Sequence, residues 1–201
     1  MNTQTTRNKV TSRIYGNKRG WVFTSSDFGD MGSMPAVRRT LERLTQKEVI
    51  RRLARGLYDY PEIDPDLGVV APDFYTGVRQ AIARQTKCRT IPFGGYAANA
   101  LGLNLDVPGK IIFLTDGSPK KIVIGKMPVI FKKTSPKNVA VSWEISGLVI
   151  QGLKYMKKRY VDSRVIDQLK RVLDNKQKDQ LLQDITCAPA WIAKVIREVA
   201  N

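Results

Sequence analysis

Arg38, Arg39 and Arg43, followed by Arg51, Arg52 and Arg55, fall within GSMPAVRRTLERLTQKEVIRRLARGLY (32–58), a stretch with one lysine and only two glutamates. A guanidinium stays charged at any physiological pH and presents a rigid planar fork of N–H donors. Two of those donors match the O6 and N7 acceptors on a guanine edge, and others match phosphate oxygens. Recognition of a polyanion, not catalysis, is the chemistry this set suits. The chain has no histidine, which removes Ser-His-Asp and Cys-His catalysis and the commonest metal ligand. Cys88 and Cys187 are far apart and form no Cys-x-x-Cys pair, so neither a zinc site nor a disulfide framework is expected. No catalytic residue, cofactor or metal site is predicted.

Six arginines can act together only if the elements carrying them face one way. Ser33 is a suitable N-cap, and Pro35 is tolerated in a first turn. Met34, Val37, Leu41 and Leu44 then form one inward stripe of a helix that ends near Gln46–Glu48. Its opposite side presents Pro35, Ala36, Arg39 and Arg43, with Arg38 on the flank. A hairpin follows, with Gly56 supplying the positive φ of a tight turn and Arg51, Arg52 and Arg55 along it and at its tip. Upstream, Thr6–Tyr15 reads as a helix with Val10 and Ile14 inward. Trp21 begins an extended piece, Ser25–Phe28 a short helix capped by Thr24 or Ser25, and Gly29–Gly32 a turn. Helix, extended piece, short helix, turn, helix, hairpin is the order of a winged helix-turn-helix. Residues 1–60 are therefore predicted to be a DNA-binding domain. Ser33, Ala36, Arg38, Arg39 and Arg43 are assigned to the major groove, and Arg51, Arg52 and Arg55 to wing and backbone contact. Single-stranded RNA suits the pattern less well, because no aromatic-rich platform sheet accompanies it.

The whole chain fits such a partner. It has 201 residues, 34 Lys and Arg against 18 Asp and Glu, and a net charge of +16. An excess of that size points to nucleic acid or an anionic surface, the bland alternative being a charge that only keeps the protein soluble. The polar start MNTQTTRNKV lacks the apolar core of an export signal, and no apolar run is long enough to span a bilayer. A soluble protein of the cytoplasm, a reducing compartment, is expected.

The fold class expected is α+β. Pro61–Asp73, with three prolines and four acids, reads as a linker or irregular crossing, so a second domain is placed at 61–201. Within it, 72–135 reads as a mixed unit. Phe74, Val78 and Ile82 mark a helix, RTIPF (89–93) a short strand or extended entry, and GGYAANALG (94–102) a short helix. KIIFLT (110–115), KKIVIG (120–125) and PVIFKK (128–133) make a three-stranded sheet. Asp116-Gly117-Ser118-Pro119 is a strong turn signal and predicts a hairpin between the first two strands. Residues 140–201 read as helices, the last beginning at Pro189.

Other residues suit chemistry less well. Gly94-Gly95 could cradle a phosphate but lacks the Gly-Lys-Ser/Thr of a P-loop, and a glycine-permitted tight turn explains it. Asp106, Asp116, Lys120 and Lys121 would suit a metal-dependent nuclease, yet no third acid comes at a matching spacing. Lys154, Lys157, Lys158 and Arg159 suit either a helix C-terminus or a second nucleic-acid contact. Trp21, Trp143 and Trp191 are expected to pack among apolar neighbours.

SRIYGNKRGWVFTSSDFGDMGSMPAVRRTLERL with VIRRLARGLYDYP resembles the N-terminal winged-helix domain of the AbiE-type antitoxins, the type IV toxin–antitoxin class. IPFGGYAANALGLNLDVPGKIIFLTDG and CAPAWIAKVIREVA resemble later segments of the same group, so the likeness extends over most of the chain. It implies an antitoxin and transcriptional repressor. The first domain would bind double-stranded operator DNA, at inverted repeats, as a monomer or weak dimer, and repress its own operon. The remainder would oppose a cognate nucleotidyltransferase-type toxin without a stable complex. The helix from Ser33 to Arg43 and the wing from Arg51 to Arg55 match the family's DNA-binding motif. A stand-alone regulator without a toxin is the alternative, with a nuclease behind it.

Overall fold

The computed structural model describes residues 5–106 and 108–201. The chain is α+β, as expected, and divides into two compact units. One ends at Lys87 and takes in Val123–Gly125, and the other holds Cys88–Ile122 and Lys126–Asn201.

The first unit opens with helix α1 (Thr6–Gly16), whose Val10 and Ile14 are fully buried. Strand β1 (Val22–Thr24) leads into a 3₁₀ turn, Ser25–Phe28. There the Thr24 backbone N–H donates to the Asp27 carboxylate at 2.8 Å, one half of a capping box. Helix α2 (Met34–Gln46) buries Val37, Thr40, Leu41 and Leu44. Strands β2 (Arg51–Ala54) and β3 (Leu57–Asp59) form a hairpin turned at Gly56, whose φ of +75° is one that a side chain would oppose. The sheet order is β1-β3-β2, antiparallel throughout. Trp21 packs on Phe23 and Phe28, with ring centroids 4.6 and 5.8 Å away, as expected of a packing residue.

This unit runs past residue 60. Pro61–Asp73, read as a linker, contains a small antiparallel pair, β4 (Ile63–Asp64) and β5 (Gly68–Val69). A π-helical turn, Phe74–Val78, continues into α3 (Arg79–Thr86). Four contacts hold these residues to the N-terminal elements. Arg84 pairs with Asp27 at 2.8 Å and donates to the Val22 carbonyl at 2.8 Å. Arg51 donates to the Val70 carbonyl at 3.0 Å. Gly77 lies so close to Val22 that a Cβ would come within 2.8 Å of its side chain. The compact division at Lys87 thus falls later than the prolines suggested.

The remaining strands, β6 (Thr90–Pro92), β7 (Ile111–Thr115), β8 (Lys120–Ile124, of which Lys120–Ile122 belong to the second unit) and β9 (Met127–Lys133), give a four-stranded sheet of order β6-β7-β9-β8, with helix α4 (Gly95–Ala100) between β6 and β7 in the chain. RTIPF supplies the fourth strand. The predicted β7–β8 hairpin is absent. β7 pairs in parallel with β9, in register Ile111↔Val129 through Thr115↔Lys133. Burial explains the choice. Val129 and Phe131 are nearly inaccessible and Phe131 stacks on Phe113 at 5.3 Å, whereas Lys121 and Val123 of β8 are exposed, which suits an edge.

The helical remainder follows the expected stripes. Helix α5 (Glu144–Met156) is buried continuously from Ser146 to Leu153. The Asp184 carboxylate accepts from the Ser142 and Trp143 backbone N–H groups at 3.0 Å, closing the start of α5. Helices α6 (Ser163–Val172), α7 (Asn175–Gln183) and α8 (Ala190–Ala200) follow, and Pro189 is the N-cap of the last. Trp143 differs from expectation: it is 40% exposed, and its indole N–H donates to Gln183 at 3.1 Å.

Candidate nucleic-acid interface

The arginines of the first unit fall into two groups. Arg13 forks onto Asp30 with two 2.7 Å bonds and donates to the Asp27 carbonyl at 2.7 Å, fixing the turn before α2 against α1. That pairing draws the Asp30 carboxyl below its ordinary range, through the Arg13 hydrogen bond above all. Arg19 donates to the Pro61 carbonyl and lies over the Tyr60 ring. Arg79 donates to the Tyr75 carbonyl, and Arg84 holds Asp27. Arg51 belongs with these. It lies opposite Asp59 in the β2–β3 register and forks onto that nearly buried carboxylate at 3.1 and 2.5 Å. This corrects the expectation for Arg51, whose guanidinium is committed inside the unit and does not line the open face.

Arg38, Arg39, Arg43, Arg52 and Arg55 form the second group. All five are exposed, and among the described residues none has a hydrogen bond or ion pair to any carboxylate. Arg7 on α1 is the other arginine of the unit in that state. Strand alternation separates Arg51 from Arg52: neighbours on a strand point to opposite faces, so one meets Asp59 and the other faces solvent.

Arg38, Arg52 and Arg55 line one open groove of about 690 Å³, together with Ser25, Glu42, Thr45, Gln46, Gly56, Tyr58 and Gln85. Arg39 and Arg43 do not line it. Arg39 is on the outermost side of α2, opposite Val37, Leu41 and Leu44, with Glu42 and Gln46 three and seven residues on. Arg43 is on the flank away from the hairpin. Ser33 is exposed at the N-cap, and its hydroxyl makes no capping bond. Ala36 is half-buried and its carbonyl accepts from the buried Thr40 hydroxyl at 2.9 Å, so it borders the face without leading it. Glu42, Thr45 and Gln46 were missed in the sequence, although Arg38 and Arg39 pointed to them by the i+3, i+4 and i+7 steps of a helix. Their chemistry adds to arginine's: Glu can accept from cytosine N4, and Gln can fork onto adenine N6 and N7.

The alternative sites resolve differently. Asp116 accepts from the Arg89 backbone N–H and Nε, each at 2.9 Å. Burial pushes its carboxyl up, but these Arg89 bonds outweigh it and hold it below the ordinary value. Its oxygens therefore organise a turn. Among the described residues, no three of the His, Cys, Asp and Glu side chains gather to hold a metal. Helix α4 has six residues, too short for Gly94-Gly95 to present a phosphate site by dipole. Lys154, Lys157, Lys158 and Arg159 are exposed at and beyond the last turn of α5. Among the described residues, no helix is long and apolar enough to cross a membrane.

One protein family, described as "Family of unknown function (DUF6088)", matches residues 9–181. A search of curated proteins finds no match.

Proposed function

We propose that this chain, which belongs to the DUF6088 family of unknown function, binds double-stranded DNA through its first unit, with α2 in the major groove and the β2–β3 hairpin as a wing on the backbone. The observation that carries the reading is the division among the arginines. Those with partners hold the unit together, and those without, Arg7 apart, lie on α2 and the hairpin. Leaving several guanidinium groups unpaired on adjacent elements raises self-repulsion, which a polyphosphate relieves. The order helix, strand, short helix, helix, hairpin with a β1-β3-β2 sheet suits a winged-helix mode of docking.

Arg38, Arg39 and Arg43, with Glu42 and Gln46, read base edges in this scheme. Ser33 contacts a phosphate near the helix start, and Arg52 and Arg55 grip the backbone. Arg51 keeps the wing in place through Asp59. The site sought is the DNA upstream of the chain's own gene, at inverted repeats, bound by a monomer or weak dimer in the cytoplasm. Gel shifts on that DNA across a salt series test the reading. Wild type should bind with a steep salt dependence, and Arg39→Ala should lose about 1–3 kcal/mol and blur base preference. Equal binding by wild type and Arg39→Ala on every duplex would end the proposal.

The resemblance of the 91–117 stretch to AbiE-type antitoxins supports giving the second unit the antitoxin role. It opposes a nucleotidyltransferase-type toxin without forming a stable complex. Coexpression with such a toxin encoded alongside tests this: restored growth supports it, and unrelieved arrest leaves a stand-alone DNA-binding regulator.

A further inference from the structure

A second cavity, entirely within the second unit and of about 490 Å³, opens between α4, β7 and α5. Its size is that of a small-molecule site. Phe93, Tyr96 and Tyr155 give it flat apolar walls, and Lys110 and Lys154 stand at the margin. Among the described residues no carboxylate lines it.

The decisive group is Gln151. It lies on α5 amid a run of buried residues, is only 3% exposed, and lines the cavity. Its side-chain amide has no hydrogen-bond partner among the described residues. The amide atoms are not sealed from the cavity, so they are available to an occupant that offers both a donor and an acceptor. Gly95 adds a second shaping feature. The Tyr155 ring lies so near its backbone that a Cβ there would come within 3.2 Å of the phenolic oxygen. The absence of a side chain at 95 lets the aromatic wall close on that edge.

We propose that this cavity binds a mononucleotide: the base between the aromatic walls with its edge on the Gln151 amide, the phosphate on Lys110 and Lys154. Each requirement removes a rival. An apolar ligand leaves the amide unpaired. A sugar without an aromatic ring leaves the aromatic walls unused, and a neutral heterocycle leaves the two lysines at the margin without an anion. A nucleotide meets all three demands, since every base has a π-face and a hydrogen-bonding edge. The site is separate from the arginine face of the first unit and does not depend on how that face is used.

Isothermal titration of the full chain with AMP, GMP, CMP and UMP tests it, with adenosine, ribose 5-phosphate, inorganic phosphate and salicylate as comparison ligands. At least one nucleotide should saturate one site per chain, and its nucleoside and phosphate parts should each bind about tenfold or more weaker. Lys154→Gln, at an exposed position, should weaken the nucleotide while leaving the nucleoside unchanged. Gln151→Leu should weaken nucleotide and nucleoside alike. Arg39→Ala with Arg52→Ala should change neither, which separates this site from the polyanion face. Saturation by none of the four nucleotides overturns the proposal. So does salicylate binding where nucleotides do not, or Lys154→Gln binding the nucleotide as wild type does.

Discussion

Helices α2 and α5 have thirteen residues each and opposite uses. Helix α2 buries Val37, Thr40, Leu41 and Leu44 on one side and leaves charged groups on the other. Helix α5 buries eight consecutive residues, so it meets neighbours all round. Such enclosure demands small residues. A Cβ at Gly147 would fall 2.9 Å from the Ile91 side chain, and one at Gly152 2.9 Å from that of Leu101. A helix packed over most of its length serves first as scaffold, and α5 opens only towards the cavity beside Gln151, Lys154 and Tyr155. A helix with one bare side can be read by something outside the protein. The contrast teaches that charge alone does not mark an interface, since Lys154 and Arg39 are both exposed cations. What distinguishes α2 is a bare row of them beside a second element carrying more.

The largest expected effect breaks the scaffold. Gly147→Leu should cost about 3 kcal/mol or more in denaturant unfolding, because Ile91 and Val141 crowd that position. Arg51→Ala comes next. It strands the nearly buried Asp59 carboxylate and should cost about 2 kcal/mol, reduced because Arg51 itself is partly exposed. Charge is not the sole measure here: Arg51→Ala should melt early, whereas Arg52→Ala, its neighbour, should melt as wild type does. Equal melting of the two would erase the distinction between paired and unpaired arginines.

Asp184 gives a smaller, pH-dependent effect. Burial raises its carboxyl, but the bonds from Ser142, Ser146 and Trp143 outweigh that and lower it overall. A carboxyl lowered on folding adds stability above its unfolded value and loses it as pH falls through the folded one. Wild type should therefore weaken on acidification below about pH 4, and Asp184→Asn should be weaker at neutral pH but less acid-sensitive, by about 1 kcal/mol. Melting curves from pH 7 to pH 3 read the difference. The smallest effect sharpens the other side of the comparison. Arg55→Ala should leave stability unchanged, weaken all duplexes alike by under about 1 kcal/mol, and lower the slope of log binding against log salt by about 1.

Much of this architecture was legible because helical stripes are local. Val10 with Ile14, and Val37 with Leu41 and Leu44, announce their burial by spacing alone. Pairing across distance was not legible. Asp116-Gly117-Ser118-Pro119 says that the chain reverses, but not which strand receives β7, and the more deeply buried β9 takes that place. Prolines at 61, 65 and 72 suggested a boundary that Arg84 and Gly77 override by binding back to Asp27 and Val22. In the candidate site, Arg38, Arg39, Arg43, Arg52 and Arg55 were visible by type and spacing. Arg51 could be told from Arg52 only once the register set it opposite Asp59. Gln151 gave no sequence signal, because a glutamine within a helix is ordinary until its surroundings are known.

The insertion of β9 between β7 and β8 governs the sequence of events at the ribosome. Ile111–Thr115 emerges with one side able to join Thr90–Pro92 and the other bare until Met127–Lys133 is made. Translation that pauses in between leaves an uncovered strand margin open to association with other nascent chains. The exposed Lys121 within that interval, and Lys132 and Lys133 at the end of β9, put charge beside that margin, which disfavours such association.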